Sequence, residues 1–126
     1  MLVDTDVIIW HMRGNLRAAR ALEVIGGFAV SAVTYMELVQ GMRDLKELGA
    51  LKAGLNDWGT QILPITEDIS YRAMALVERH FHGLSLRLAD ALIAATAQVH
   101  DLELLTGDAR HFKQLGGVTV RRFEPV

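Results

Sequence analysis

Short apolar runs alternate along this chain with longer stretches whose apolar residues recur at helical spacing. That alternation fits a parallel sheet joined by crossover helices better than any all-α or all-β arrangement. Leu2 to Asp4, "FAVS", "QILPI", "LELLT" and "VTVRRF" predict five strands. Between them, "NLRAARALEVIG", "SAVTYMELVQGM", "LKELGALKAGLNDW", "EDISYRAMALVERHFHG", "SLRLADALIAATAQVH" and "ARHFKQL" predict helices. Asn15 is placed to cap the first of these and Gly26 to stop it, while Ser85 is expected to cap the helix through Asp90. Pro64 cannot donate to a sheet ladder, so it puts its strand at an edge or marks the strand's end. The expected fold class is a three-layer α/β/α unit around a central parallel sheet.

At 126 residues and 51% hydrophobic content, one compact domain spanning 1–126 can bury enough surface to fold without staples. There is no cysteine, which removes thiolate metal sites and cysteine nucleophiles and fits a reducing compartment. No basic, apolar and small-residue series resembling a signal peptide opens the chain, and charges break each apolar stretch before the ~18 residues a membrane span needs. A cytoplasmic protein without membrane contact is the expectation. A formal net charge of −2 argues against a globally basic nucleic-acid-binding surface, so binding of that kind would rest on local patches.

Open α/β sheets collect ligands at the carboxyl ends of their strands. Asp4 and Asp6 follow the first predicted strand, Glu37 lies in the helix after the second, and Asp108 follows the fourth. Asp90 stands among Leu88, Ala91, Leu92 and Ala95, a carboxylate amid apolar packing. Carboxylates gathered closely repel one another and need a compensating cation. Mg²⁺ and Mn²⁺ prefer hard oxygen ligands and keep open positions for a phosphate oxygen and an attacking water. Metal-assisted phosphodiester hydrolysis is the chemistry such a site would perform.

Each acid also has a purely structural explanation. "TYME" matches a capping box in which Thr34 caps and Glu37 reaches back. Asp108 could cap "ARHF", and Asp4 with Asp6 could form a turn. With Ser85 as cap, Asp90 falls beyond the first turn, leaving Arg87, three residues earlier, as its structural partner. All of these would have to hold at once for the acids to lack a common purpose.

The segments "LVDTDVII", "SAVTYMELVQG", "LRLADALIAATA" and "LLTGDARHF", in that order and spacing, resemble the PIN-domain ribonucleases, and among them the VapC-type toxins of type II toxin-antitoxin pairs. The resemblance covers essentially the whole chain. It implies strand order 3-2-1-4-5 and an endoribonuclease dependent on Mg²⁺ or Mn²⁺. It also implies a metal-binding acidic quartet of Asp4, Glu37, Asp90 and Asp108, supported by Thr5, Asp6, Thr34 and Thr106. In that scheme Asp4 and Asp90 hold one ion, while Glu37 and Asp108 orient the water or a second ion. The position of Asp6 is more often Asn or Ser in such proteins, so a fifth carboxylate here would tighten metal binding or raise a neighbour's pKa. The resemblance further implies an RNA substrate, a homodimer, and a cognate antitoxin whose helix or tail covers the site, often placing an Arg near the ligands.

Arg13, Arg17 and Arg110 are the candidate RNA contacts, with Arg20, Arg43 and Lys113 adding local positive charge. His111 beside Asp108 could touch phosphate, although none of the five histidines has metal-ligand spacing joined to a carboxylate. Leu45, Leu48, Leu51 and Leu55, with Trp58 beyond, recur at helical spacing and would form either core or an apolar groove for a partner helix.

Two other classes compete. "DTDVI" imitates the first motif of haloacid-dehalogenase-like phosphatases, in which Asp4 would be the nucleophile and Asp6 a general acid. Those enzymes need a later lysine and a further Asp shortly after Gly107-Asp108, where this chain has Phe112 and Lys113. The second alternative is a noncatalytic interaction module or a receiver-like switch; a receiver needs a phosphoacceptor Asp ending the third strand, and "LPIT" has none.

Overall fold

The computed structural model describes residues 1–126. Five short strands, β1 (Leu2–Val3), β2 (Ala29–Ser31), β3 (Gln61–Leu63), β4 (Leu104–Thr106) and β5 (Val120–Arg122), form one sheet ordered β3-β2-β1-β4-β5. Every pairing is parallel. The helices are α1 (Thr5–Met12), α2 (Leu16–Ile25), α3 (Ala32–Gln40), α4 (Leu45–Asp57), α5 (Glu67–His80), α6 (Leu88–Val99) and α7 (Ala109–Leu115). β1 is central and entirely buried, and β3 is an edge strand that stops just short of Pro64, as proline's missing N–H requires.

The pleat of the strands divides the core. Leu2, Ala29, Leu63 and Leu104 face one side, where they pack with Ile69, Ala73 and Leu76 of α5, the alanine-rich face of α6, and Phe112 and Leu115 of α7. Val3, Val30 and Leu105, their neighbours along the strands, face the other side and meet Val7 and Ile8 of α1, Ala18 and Leu22 of α2, and Leu51 and Leu55 of α4. The period-two alternation of the strands thus produces the three layers.

Local chemistry sets most helix starts. Asn15 Oδ1 accepts from the Ala18 N–H at 2.9 Å, as expected, and Asp44 and Thr66 cap α4 and α5 in the same way. Residues Thr5–Met12, unassigned between the first predicted strand and helix, form a helix with Asp4 as its N-cap residue. Two expectations are corrected. Ser31, not Thr34, caps α3, its hydroxyl accepting from the Val33 N–H at 3.0 Å, which frees Thr34 and Glu37 from a capping box. α6 begins at Leu88 with Arg87 at the N-cap position and no side-chain cap, so Ser85 plays no capping part and Asp90 lies in the first turn.

Candidate acidic active site

The parallel register that pairs Leu2 with Leu104 and Val3 with Leu105 brings the residues following each strand side by side. The Asp4 N–H donates to the Leu105 carbonyl at 2.9 Å, extending the ladder by one residue. The Thr106 hydroxyl donates to Asp4 Oδ2 at 2.7 Å, and the Thr5 N–H donates to Asp4 Oδ1 at 2.8 Å. Thr106 Oγ1 in turn accepts from the Asp108 N–H at 3.0 Å. Asp108 occupies the N-cap position of α7, yet its carboxylate makes no capping bond, so the structural explanation for it fails.

On the other side of Asp4, Thr5 Oγ1 lies 2.7 Å from Glu37 Oε1 and 3.0 Å from Thr34 Oγ1. A hydroxyl carries one proton, and the carboxylate takes it, leaving Thr34 to donate its own to Thr5. The chain Thr34, Thr5, Glu37 fixes the α3 acid relative to the end of β1. Asp90 is buried and faces a guanidinium and an imidazole: Arg87 Nη2 is 3.4 Å from Oδ1, and His111 Nε2 is 3.4 Å from Oδ2. Sequence reasoning treated Arg87 only as a structural counter-charge and sent His111 toward substrate; the fold puts both on Asp90.

Asp6 is set apart from the other acids by the bond it makes. Its Oδ2 accepts from the Gly107 N–H at 2.9 Å, while Oδ1 is buried without a hydrogen-bond partner. A Cβ at position 107 would lie 2.5 Å from that Oδ2, so any larger residue would force the Asp6 carboxylate to shift. This arrangement leaves Asp6 no free role as a phosphatase general acid beside Asp4.

Crowding is visible in the titration of the cluster. Burial, then the neighbouring Asp6 carboxylate, push Asp4 up to about 7, with Asp90 adding to the rise against the opposing bonds from Thr106 and Thr5. Asp6 is also raised, first by burial, with Asp108 contributing. Arg87 is held above its ordinary range by its bond to Asp90 and by the fields of Glu37 and Asp4. The guanidinium therefore senses three of the four acids.

The donor set is hard oxygen throughout the quartet, which suits a divalent cation of the Mg²⁺ type. As the side chains stand, no three acidic or imidazole groups converge on a single ligating point. Asp90 is turned onto Arg87 and His111 and Glu37 onto Thr5, arrangements that a compensating cation would compete with. Of the expected RNA contacts, Arg17 and Arg110 are exposed on α2 and α7, and Arg13 lines a groove of about 670 Å³ with Ile8, Ile9, Met12, Leu51, Leu55 and Trp58. Glu37 lines the same groove, so it opens beside the acids. Leu51 and Leu55 serve both core and groove floor, and Leu45 is exposed outside it.

Residues 1–118 match the family model described as PIN domain. The chain belongs to the PIN-domain family. This PIN domain is 38% identical to ribonuclease VapC10 of Mycobacterium tuberculosis, over 89% of this chain and 85% of that one. It is 37% identical to ribonuclease VapC19 of the same organism, covering 88% of this chain and 90% of that one. Among solved structures, a toxin-antitoxin complex from Klebsiella pneumoniae superposes with a TM-score of 0.80 at 32% identity, over 99% of this chain and 97% of that one. PIN-domain membership and the strand order agree, since the order inferred from the resemblance is the one observed. Ribonucleases of this kind depend on a divalent metal ion. No helix of this PIN domain is long and apolar enough to cross a membrane.

Proposed function

We propose that the protein is an endoribonuclease, the toxin of a toxin-antitoxin pair, hydrolysing RNA phosphodiester bonds with Mg²⁺ or Mn²⁺ held by Asp4, Glu37, Asp90 and Asp108. The observation that supports this is the hydrogen-bonded surroundings of Asp4 at the end of β1: Thr106, whose hydroxyl also accepts from the Asp108 N–H, donates to Asp4, and Thr5, whose N–H donates to Asp4, donates its hydroxyl to Glu37, while the charge of Asp90 is felt at Asp4. A bound divalent ion supplies the positive charge that draws a water and a phosphate oxygen together and lowers the cost of ionising that water. Thr106 and the Thr5 amide fix both Asp4 oxygens, and Thr5 fixes Glu37, so two acids from distant segments are oriented before any ligand arrives. Asp6 acts on the site from outside the quartet: it holds the Gly107 amide and its charge raises Asp4.

The groove beside Glu37, apolar on its floor and carrying Arg13 and Arg43 at its edge, is the surface we assign to the antitoxin, whose helix would lie along α1 and α4. Exposed Met74 on α5 and Leu88 on α6 border a hollow of about 340 Å³, and we assign this face to pairing of two copies in a homodimer. The cytoplasm, where both RNA and antitoxin are made, is the compartment this function requires. Induced expression of the native chain and of Asp90→Asn tests the reading. Growth arrest and new RNA ends should follow the native chain only, and purified protein should cleave RNA with Mg²⁺ or Mn²⁺ and stop on chelation. Equal arrest by both chains would overturn it.

A further inference from the structure

Arg87 stands where local energetics disfavour it. At the N-cap of α6 it can accept no bond from the first turn, and its charge lies at the positive end of the helix dipole. Its side chain is 74% exposed, so packing does not explain it either. Its contacts with Asp90, both 3.4 Å, are longer than the roughly 2.7–2.9 Å of a strong charge-assisted bond. Of the arginines and lysines, it alone forms an ion pair with a member of the acidic quartet; the other pairs join Arg43 to Glu47, Arg121 to Glu103 and Arg122 to Glu124.

The electrostatics of the reaction call for such a group. Asp4, Asp6, Glu37, Asp90 and Asp108 together bring up to five negative charges to one place, and a single divalent ion cancels two. An RNA phosphate approaching that site still meets net repulsion unless a further cation stands at its mouth. An arginine that is exposed, loosely held and already turned toward the acids has the fork geometry that phosphate oxygens accept.

Resting on the ribonuclease reading above, we propose that Arg87 is a shared cation: it offsets the charge of Asp90 in the metal-free protein, yields Asp90 to the divalent ion, and then binds the RNA phosphate entering the site. Two consequences are separable. Arg87 competes with the ion for Asp90, and it contributes one phosphate contact to RNA.

The test compares the full-length protein with R87A, R87Q and R87K, each checked for native thermal unfolding. Titration with Mn²⁺ by calorimetry should show R87A and R87Q binding at least threefold more tightly than wild type, with R87K close to wild type. Steady-state cleavage of a fluorogenic single-stranded RNA over a series of salt concentrations should show kcat/KM reduced at least tenfold in R87A and R87Q. The slope of log kcat/KM against log salt should be shallower by about 0.7, the value for one lost phosphate contact on a single strand. R87K, which keeps the charge, should retain the wild-type slope. Unchanged or weaker Mn²⁺ binding in both neutral variants, or an unchanged salt slope, overturns the proposal, as does unfolding of all three variants, which would make Arg87 a structural partner only. A wild-type protein that cleaves no RNA sinks the ribonuclease reading and the phosphate contact with it, while the Mn²⁺ titration judges the counter-cation role separately.

Discussion

The Thr106 hydroxyl donates to Asp4 Oδ2 at 2.7 Å, joining the ends of two adjacent parallel strands across most of the length of the chain. The same oxygen accepts from the Asp108 N–H, so one side chain serves two acids. Thr106→Val preserves the shape and removes both bonds. It should destabilise the protein by about 2–6 kcal/mol above neutral pH, from two polar groups left without partners at ~1–3 kcal/mol each. The loss should shrink at pH 5, where Asp4 is protonated. Thermal unfolding at the two pH values measures the difference, and an equal loss at both would separate Thr106 from Asp4.

The raised pKa of Asp4 makes the metal-free fold pH-sensitive in a definite direction. Between the ordinary 3.8 and about 7, the folded chain keeps a proton on Asp4 that the unfolded chain has released. Stability therefore falls as pH rises through that window and levels off above it, at a total cost on the order of 4 kcal/mol. Asp4→Asn cannot ionise and still offers an oxygen to the Thr5 N–H. It should unfold at higher temperature than the native chain at pH 8 in a chelator, show a much smaller gain at pH 4, and cleave no RNA. A variant less stable than wild type at pH 8 would contradict the assigned cause.

The same proton must leave before a divalent ion can use Asp4. Apparent Mn²⁺ affinity should therefore weaken tenfold per pH unit below about 7, reaching roughly a hundredfold at pH 5, and change little above 8. Calorimetry in buffers of different ionisation enthalpy should register close to one proton released per ion at pH 6. Release of no proton would exclude Asp4 as a ligand.

Much of this site could be read from residue order because the physics that places it is simple. In a parallel sheet the residues after each strand share one edge, so Asp4 and Asp108 were legible from the apolar runs that precede them. Glu37 was legible as a position but not as a role: "TYME" looked like a capping box, and only the capping bond of Ser31 shows that the helix starts three residues earlier. α1 was missed because its buried Val7 and Ile8 continue the apolar run of β1, although Asp4 and Asp6 around its first turn were the available signal. The start of α6 was misread because Ser85 is the better capping residue, and the observed start at Arg87 has no cap at all. The approach of His111 to Asp90 had no local signature, since it depends on how α7 packs against α6.

Asp6 and Gly107 form a latch between the start of α1 and the loop after β4. A methyl group at 107 would collide with Asp6 Oδ2, and the carboxylate cannot retreat without giving up the Gly107 N–H and exposing its own buried charge to worse surroundings. Gly107→Ala should cost about 1–3 kcal/mol, the usual range for overpacking, and lower RNA cleavage by displacing Asp108. Asp6→Ala removes the obstacle, so the double variant should recover part of the loss. A double-mutant cycle with a coupling near zero would show that the two residues do not act together.

The groove makes the last prediction, because its floor and its rim respond differently to substitution. Leu51 and Leu55 are buried and belong to the core behind α4, so charging either would unfold the protein and reveal nothing about a partner. Met12, about half exposed at the end of α1, lines the groove without anchoring the core. Met12→Glu removes an apolar contact from the proposed antitoxin surface and sets a carboxylate there that would be desolvated on binding. It should leave thermal stability within about 0.5 kcal/mol and RNA cleavage unchanged, while weakening antitoxin binding at least a hundredfold, as expected when an unpaired charge is buried in an interface. Co-purification with the antitoxin co-expressed with it and a cleavage assay on the same preparation read both effects. Retained inhibition by that antitoxin, with Met12→Glu folded and active, would move the partner surface elsewhere on the molecule.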